Sequence, residues 1–410
     1  MRAEQSRGRA AVDGLVRSIL PVILALIVAG LIILAMGSNP LDFFAGVWTY
    51  GITGTNWQRS LVLMAPLVIV AVGLIIAFRG QLWNLGYNGQ YLLGAVVASG
   101  FGPYLFAALP AWLATIVIFL GALLVGAVWS LIPAILKARY GTNEIITSLV
   151  MSFIGVGIAN LLIKGPFKDP STPQPQTAVI PDDQLLPYIP GTAIHIGLLI
   201  AIVLAIVAQF VFTRTSFGLR MDIFGASPKA ARHVGINSTW MVILLFALSS
   251  ALIAFAGAVD VLGQYSYQRA NWDPHYGDAV MPFVFLARLS PLAAIPLVAF
   301  YAVLATGGTL AAQQAGLNVD FLLVIVGLIL IFMTITEYVG EKRRLGQSYL
   351  PPGLRRTLLR PFQGTPSPRA SAQERVGEPI PPDTPVSESA PETAPATATD
   401  PAPAPEARTS

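Results

Sequence analysis

The 410-residue chain has no cysteine, which removes disulfides, thiolate chemistry and cysteine metal sites together. It has only three histidines. His195, His233 and His275 are far apart and form no ligand spacing, so they read as surface or interfacial residues and no metal site is expected. No G-x-x-x-x-G-K-[ST] stretch occurs, so the usual loop for cradling nucleotide phosphates is missing, and neither a cofactor nor a nucleic-acid partner is expected. Charge is scarce as well: 11% of residues are Asp, Glu, Lys or Arg, against 54% hydrophobic, and the mean hydropathy is +0.66. That balance excludes an ordinary soluble domain.

What the chain has instead is long apolar runs. A hydrocarbon core of about 30 Å takes roughly 17 to 25 helical residues to cross, and windows of that kind recur along the first 340 positions. Ten are read at 18–36, 59–78, 84–100, 110–136, 143–163, 193–213, 239–260, 277–288, 291–309 and 318–337. The fold class is therefore an all-α polytopic membrane protein of about ten transmembrane helices, the eighth short enough to be a half-span or re-entrant. Lys and Arg near span ends stay on the cytoplasmic side. With the N-terminus inside, the inner segments carry fifteen basic residues and the outer ones four, Arg59, Lys164, Lys168 and Arg269. Both termini are thus expected to be cytoplasmic. The start, "MRAEQSRGRAAVDGLVRSILPVILALIVAG", has a basic head and an apolar run without a persuasive cleavage site, and reads as a cytoplasmic segment, 1–17, followed by a retained span.

The transmembrane body is placed at 18–340. From Gly346 the composition changes: 14 of the 32 prolines lie between Pro351 and the end, among Ala, Thr, Ser, Glu and Arg. Such a segment buries too little apolar surface to offset its ordering entropy, so 346–410 is expected to be a disordered cytoplasmic tail.

Three stretches carry polar chemistry into this apolar setting. In "GQLWNLGYNGQYLLGA", 80–95, Asn84 and Asn88 share a helical face, Gln90 is near, and Gly86, Gly89 and Gly94 permit close approach or a helix break. Polar backbone at membrane depth survives only against protein or a water-filled path, which leaves a path-lining element and interhelical amide glue both open. In "YGTNEIITSLVMSFI", Asn143 can cap a helix and Glu144 sit in its first turn beside the positive end of the dipole; the alternative is a polar constriction at the cytoplasmic mouth. The third, "FTRTSFGLRMDIFGASPKAARHVGINSTW", is too long for a simple link. Ser227 and Pro228 start a short helix that ends at Gly235, with Ala230, Ala231 and Val234 as an apolar face amid Arg220, Lys229 and Arg232. A short amphipathic helix held out on the cytoplasmic side suits a partner's groove, and the competing reading is a basic loop lying on anionic lipid.

These stretches resemble the permease subunits of ABC importers of the simple-sugar, nucleoside and branched-chain amino acid class. "LWNLGYNGQYLLGA" looks like that family's F-N-I-G-x-E-G-Q-x-x-x-G-A. "GTNEIITSLVMSFI" looks like G-x-N-E-V-I-x-T-x-M-x-N, and "TSFGLRMDIFGASPKAARHVGI" like T-x-x-G-x-x-x-R-A-x-G-x-N-P-x-A-A-x-x-x-G-I. The match runs in order over about 60–340. Asn88 stands where the family usually has Glu, Ser152 where it has Asn, Asp222 and Ile223 where it has Arg-Ala, and Ser227 where Asn precedes the proline. "KGPFKDPSTPQPQTAVIPDDQLLP", 164–187, is similar to the outer loop of the longer of two paired permeases in nucleoside importers that work with basic-membrane-type lipoproteins.

The resemblance implies a non-enzymatic subunit in the bacterial plasma (inner) membrane that works by alternating access. Separate cytoplasmic ATPase subunits, a second, shorter permease in a heterodimer, an extracytoplasmic substrate-binding lipoprotein and surrounding membrane lipid would be its partners. It implies a path formed by Asn84, Tyr87, Asn88, Gln90, Asn143 and Glu144, with Tyr87 or Tyr91 able to stack on a base. It also implies a coupling loop, 213–238, built on Arg220, Gly225, Pro228, Ala230, Ala231 and Gly235. A nucleoside is the expected substrate, a simple sugar the alternative. An ion-coupled secondary transporter is the competing class; its candidate carboxylates, Asp260, Asp278 and Glu337, lie near span ends.

Overall fold

In the computed structural model the described residues are 2–344, with side chains described for most of 19–342. The tail expected to be disordered, 346–410, and the side chains of the basic segment 1–17 lie outside the described residues. Fourteen α-helices follow one another: α1 (Arg2–Ala35), α2 (Pro40–Gly51), α3 (Asn56–Arg79), α4 (Tyr87–Ala108), α5 (Ala111–Trp129), α6 (Leu131–Tyr140), α7 (Glu144–Lys164), α8 (Gly197–Arg214), α9 (Ser216–Ala226), α10 (Pro228–His233), α11 (Ser238–Asp260), α12 (Tyr276–Leu286), α13 (Pro291–Gln314) and α14 (Phe321–Arg344). Eight helical stretches are long and apolar enough to cross a membrane, α5 and α6 counting as one, and Ile19–Ala35 and Tyr276–Leu286 are shorter apolar ones. Each of the ten windows read from the sequence falls on one of these.

The ends follow from local chemistry. Asn39, Asn143 and Asn237 each accept a backbone N–H of the following turn through the side chain, starting α2, α7 and α11. Ser227 does the same for α10, with Pro228 in the first helical position. Gly141, at φ +67°, closes α6 in the left-handed conformation that suits glycine.

The centre of the bundle is α3, 89% buried along its spanning window, with α11 (72%) and α4 (61%) beside it. In lipid no hydrophobic force draws helices together, so small residues and close van der Waals fit must do so. Gly94 of α4 sits directly on the backbone of Ala254 in α11, where a Cβ would overlap it. Gly89 faces α7 equally closely, a Cβ there lying 2.6 Å from the Ser152 carbonyl oxygen. The periphery is apolar: Leu120 and Leu124 of α5, Phe153 and Leu161 of α7, and Val203 and Phe210 of α8 are exposed on the bundle's outside, as lipid-facing residues would be.

Three features were not legible as elements. Residues 37–58 hold α2, whose Gly51 abuts the Val303 backbone of α13 and whose Tyr50 donates to Gln314 at 2.9 Å. The 166–196 segment is tied by its backbone to the stretch after α11: Thr177 N–H to Gln268 O at 3.0 Å, Ile180 N–H to Ser266 O at 2.9 Å, and Leu186 N–H to Leu262 O at 2.8 Å. His195, expected at a surface or interface, is fully buried there. Its ring fills the space beside Gly197 and Gly263, and Nδ1 accepts the Gly197 N–H at 3.1 Å. Desolvation in this setting pulls its pKa down from 6.5 to about 4.

Candidate functional site

The stretch 80–86 is not helical. Gln81 has φ +55°, and the chain runs without regular structure through Leu82 to Gly86 before α4 begins at Tyr87. Asn84 is fully buried in the middle of this break. Its side chain exchanges two hydrogen bonds with Gln90 (3.2 and 3.0 Å), donates to Ser249 and Ser250 (3.1 and 3.2 Å), and accepts the Gly86 N–H (3.1 Å). Ser249 lies eleven residues along α11, about 17 Å at 1.5 Å per residue, which is roughly half a hydrocarbon core. The break therefore lies at mid-membrane depth. Asn84 and Gln90, read from sequence as one polar face with Asn88, are occupied with each other and with α11.

Asn88 is turned elsewhere. Its Nδ2 donates to Asp278 Oδ2 at 3.0 Å and lies 3.3 Å from His275 Nδ1, and Tyr87 Oη donates to Asp278 Oδ1 at 2.6 Å. The first turns of α4 and α12 thus meet across one carboxylate. Asp278, expected near a span end, lies in the first turn of α12, whose 11 residues are too few to cross a bilayer alone. Yet the Asp278 and His275 side chains are 45% and 51% exposed. Behind them, Tyr91 donates a short hydrogen bond to the fully buried Asp260, and its ring packs edge-on against Tyr276 at 5.4 Å.

The approach to this patch from one side is a cavity of about 860 Å³ whose lining includes Arg59, Tyr265, Trp272, His275, Tyr301 and Asp320. Its wall near α12 is irregular backbone: a π-helical turn at Val261–Tyr265, then Ser266, Asn271 and His275 at φ +57°, +59° and +52°. Non-glycine residues seldom adopt that region, and π-turns and such conformations cluster at working sites. On the other side, the end of α12 is sealed by aromatic rings. Phe285 stacks on Phe78 at 5.0 Å and 14°, and Trp83 of the break closes on both at 5.7 and 5.2 Å.

The remaining sequence candidates separate into two groups. Asn143 caps α7 through the Ile145 N–H at 2.9 Å, and Glu144 pairs with Lys137 at 2.7 Å. They touch the break only through Ser148, which takes the Leu85 N–H at 3.0 Å, and they do not join the Asn88 patch. In the 213–238 loop, two helices form rather than one. Arg220, Pro228, Ala230 and Gly235 are exposed. Ala231, expected on the outward apolar face, is fully buried. The correction is one of helix phase: the short α10 packs on α9 with Ala231 turned inward, and the outward apolar side chain is Val234, 65% exposed. Gly225 is also inward, its α-carbon against the Arg79 carbonyl. Tyr87, Asn88 and Tyr91, singled out in the sequence, lie at this patch; the sequence did not join His275, Tyr276 and Asp278 to them, because the contact with α4 links segments nearly 190 residues apart.

Comparison with known proteins places this geometry. A model of the family described as "branched-chain amino acid transport system / permease component" matches residues 56–334. The chain is 29% identical to the glucose ABC transporter permease protein TsgB13 of Haloferax volcanii, over 79% of this chain and 88% of that one. It is 25% identical to the nucleoside ABC transporter permease protein NupB of Lactococcus lactis, over 77% and 90%. It is likewise 25% identical to the guanosine ABC transporter permease protein NupP of Bacillus subtilis, over 61% and 72%. With eight helices of spanning length among the described residues and a family match over 56–334, the chain belongs to the branched-chain amino acid transport system permease family and is a multi-pass transmembrane permease subunit of an ABC importer.

Proposed function

We propose that substrate passes the patch formed by Asn88, His275 and Asp278, entering through the 860 Å³ cavity and leaving past the Phe78–Trp83–Phe285 seal. One observation carries this reading: a carboxylate and an imidazole about half exposed at the start of a short helix inside an apolar bundle, in contact with Asn88 of the broken segment. Ionisable groups there mark a path or a water-filled surface. Asn84 and Gln90 hold the break in shape, Tyr87 and Asn88 face the path, and Asn143 and Glu144 stand near its inner mouth. A second, shorter permease in a heterodimer covers the other side of the patch. The cavity faces out and both chain termini face in, within the bacterial plasma (inner) membrane, with 213–238 as the docking loop for separate cytoplasmic ATPase subunits. An extracytoplasmic lipoprotein delivers the substrate.

The substrate is a nucleoside. The cavity's edge-to-face pair Tyr265 and Trp272, at 4.8 Å, together with Tyr301, offers ring faces to a base, while Asp273, Asp320 and Thr306 offer partners for ribose hydroxyls. A simple sugar is the second reading, favoured by the likeness to a glucose permease. Uptake of labelled nucleosides and hexoses into proteoliposomes holding the whole transporter tests both. Asn88→Leu and Asp278→Asn should cut uptake while the chain still inserts and co-purifies with its ATPase. Normal uptake in both would remove the patch from the path.

A further inference from the structure

Arg79, the last residue of α3, reaches out of the bundle to α9. Its Nε and Nη2 donate to Asp222 Oδ1 and Oδ2 at 2.7 and 2.9 Å, a two-pronged pairing that fixes direction as well as distance. The guanidinium carbon lies 5.0 Å over the Phe212 ring near the end of α8. The main chains touch too: a Cβ on Gly225 would lie 2.5 Å from the Arg79 carbonyl oxygen. So α9 is tied to the end of α3 through side chains and backbone at once.

The preceding residue, Phe78, is the one that stacks on Phe285 at the end of α12. From Asp222 the chain of contact therefore runs Arg79, Phe78, Phe285, and back along α12 to Asp278 at the patch. An ion pair whose side chains are 22% and 44% exposed adds little stability. Its worth lies in geometry, since a planar guanidinium held by two oxygens and a ring resists swivelling where a lysine would not. Both ends of α12 suit a moving part: His275 before it and Arg288 and Leu289 after it have φ between +52° and +56°, so the helix is bounded by irregular backbone at each end.

We propose that Arg79 and Asp222 are positioning residues that carry movement of α9–α10 to the Phe78–Phe285 seal and through it to α12. This rests on 213–238 being the loop on which the ATPase docks. Breaking the pair should leave the ATPase bound and hydrolysing at its basal rate but uncouple it from the path.

The test uses the whole transporter in liposomes with Arg79→Asp, Asp222→Arg and the doubly reversed chain. Retained ATPase, basal hydrolysis, substrate-stimulated hydrolysis and uptake are measured on each. Each single reversal should keep the first two and lower the last two by roughly threefold to thirtyfold, the span of coupling changes seen for residues between sites. The double reversal should recover most of both. If a reversed charge blocks insertion, Asp222→Asn and Arg79→Lys give a smaller loss of the same two readouts. Unchanged coupling in the singles, no recovery in the double, or loss of the ATPase from the complex would each overturn the proposal. Failure of the docking assignment reads out separately, in a Val234→Glu chain that leaves the Arg79–Asp222 pair intact.

Discussion

Acid should loosen the 166–196 loop through His195. The imidazole is buried, its Nδ1 accepts the Gly197 N–H, and its Nε2 has no partner. The folded loop therefore holds the neutral ring, with a pKa of about 4 against 6.5 when exposed. A depressed histidine pKa costs nothing above pH 6.5. As pH falls below that value, the opened loop takes up a proton that the closed loop refuses, so closure weakens by about 1.4 kcal/mol per pH unit until it levels off near pH 4. At pH 5 the loss is about 2 kcal/mol, roughly a thirtyfold rise in the opened population; below pH 4 it saturates at about 3 kcal/mol. Asp169, in the same loop, does not compete in this window, because the Ser171 hydroxyl and N–H pull its carboxyl below the usual range. Hydrogen exchange of amides 176–196 in lipid nanodiscs at pH 7.5 and 5 measures the effect once intrinsic exchange is subtracted. His195→Leu should flatten the pH dependence. An equal slope in wild type and His195→Leu would refute the argument.

Gly94→Leu, which must displace the Ala254 backbone, should cost about 3 kcal/mol or more and lower the thermal midpoint in detergent. Gly157→Leu, where nothing lies within 4 Å, should leave the midpoint unchanged. Asn84→Leu strips partners from Gln90, Ser249, Ser250 and the Gly86 N–H, so it should destabilise by about 1–3 kcal/mol and show as lost stability before lost uptake, the reverse of Asn88→Leu. Val234→Glu should abolish co-purification with the ATPase while the permease keeps its thermal midpoint, because this side chain is the exposed apolar one of the docking segment. A chain ending at Gly346 should insert and transport like the full one, as measured by proteoliposome uptake, given the composition beyond it.

The helices were legible because each needs only its own residues: an apolar run of the right length, an asparagine or serine cap, a glycine stop. The 143–163 window and its cap Asn143 are correct almost to the residue for that reason. The α2 helix was not legible, because its 12 residues are too few for a span and its fit depends on glycines meeting α13, over 250 positions later. The short helix α10 shows a third case. Its start at Ser227 and Pro228 was readable, but six residues are too short for periodicity to fix which methyl faces inward, and only packing on α9 decides between Ala231 and Val234. The same limit applies to the amides. Asn84 and Asn88 are four apart and would share a face on a continuous helix, yet the chain is non-helical at Asn84 and helical at Asn88, which sends one to α11 and the other to α12.

That division explains why so polar a stretch persists at membrane depth. A continuous helix through 80–95 would satisfy its own backbone and leave the two asparagines to find partners on one side. The break frees backbone groups, and it is stable only because Ser148 takes the Leu85 N–H, Asn84 the Gly86 N–H and Ser152 the Gly89 N–H. Each of these acceptors is a short side chain on a neighbouring helix or in the break itself, so the irregular segment is held from within the protein and needs nothing from the path. On the proposed mechanism, Asn88 and Asp278 can then change partners as α12 moves without releasing the fold around them. The arrangement requires that Ser148→Ala and Ser152→Ala weaken the bundle even though neither touches the patch. If both left stability and uptake unaltered, the break would have to be held by the path's own contents.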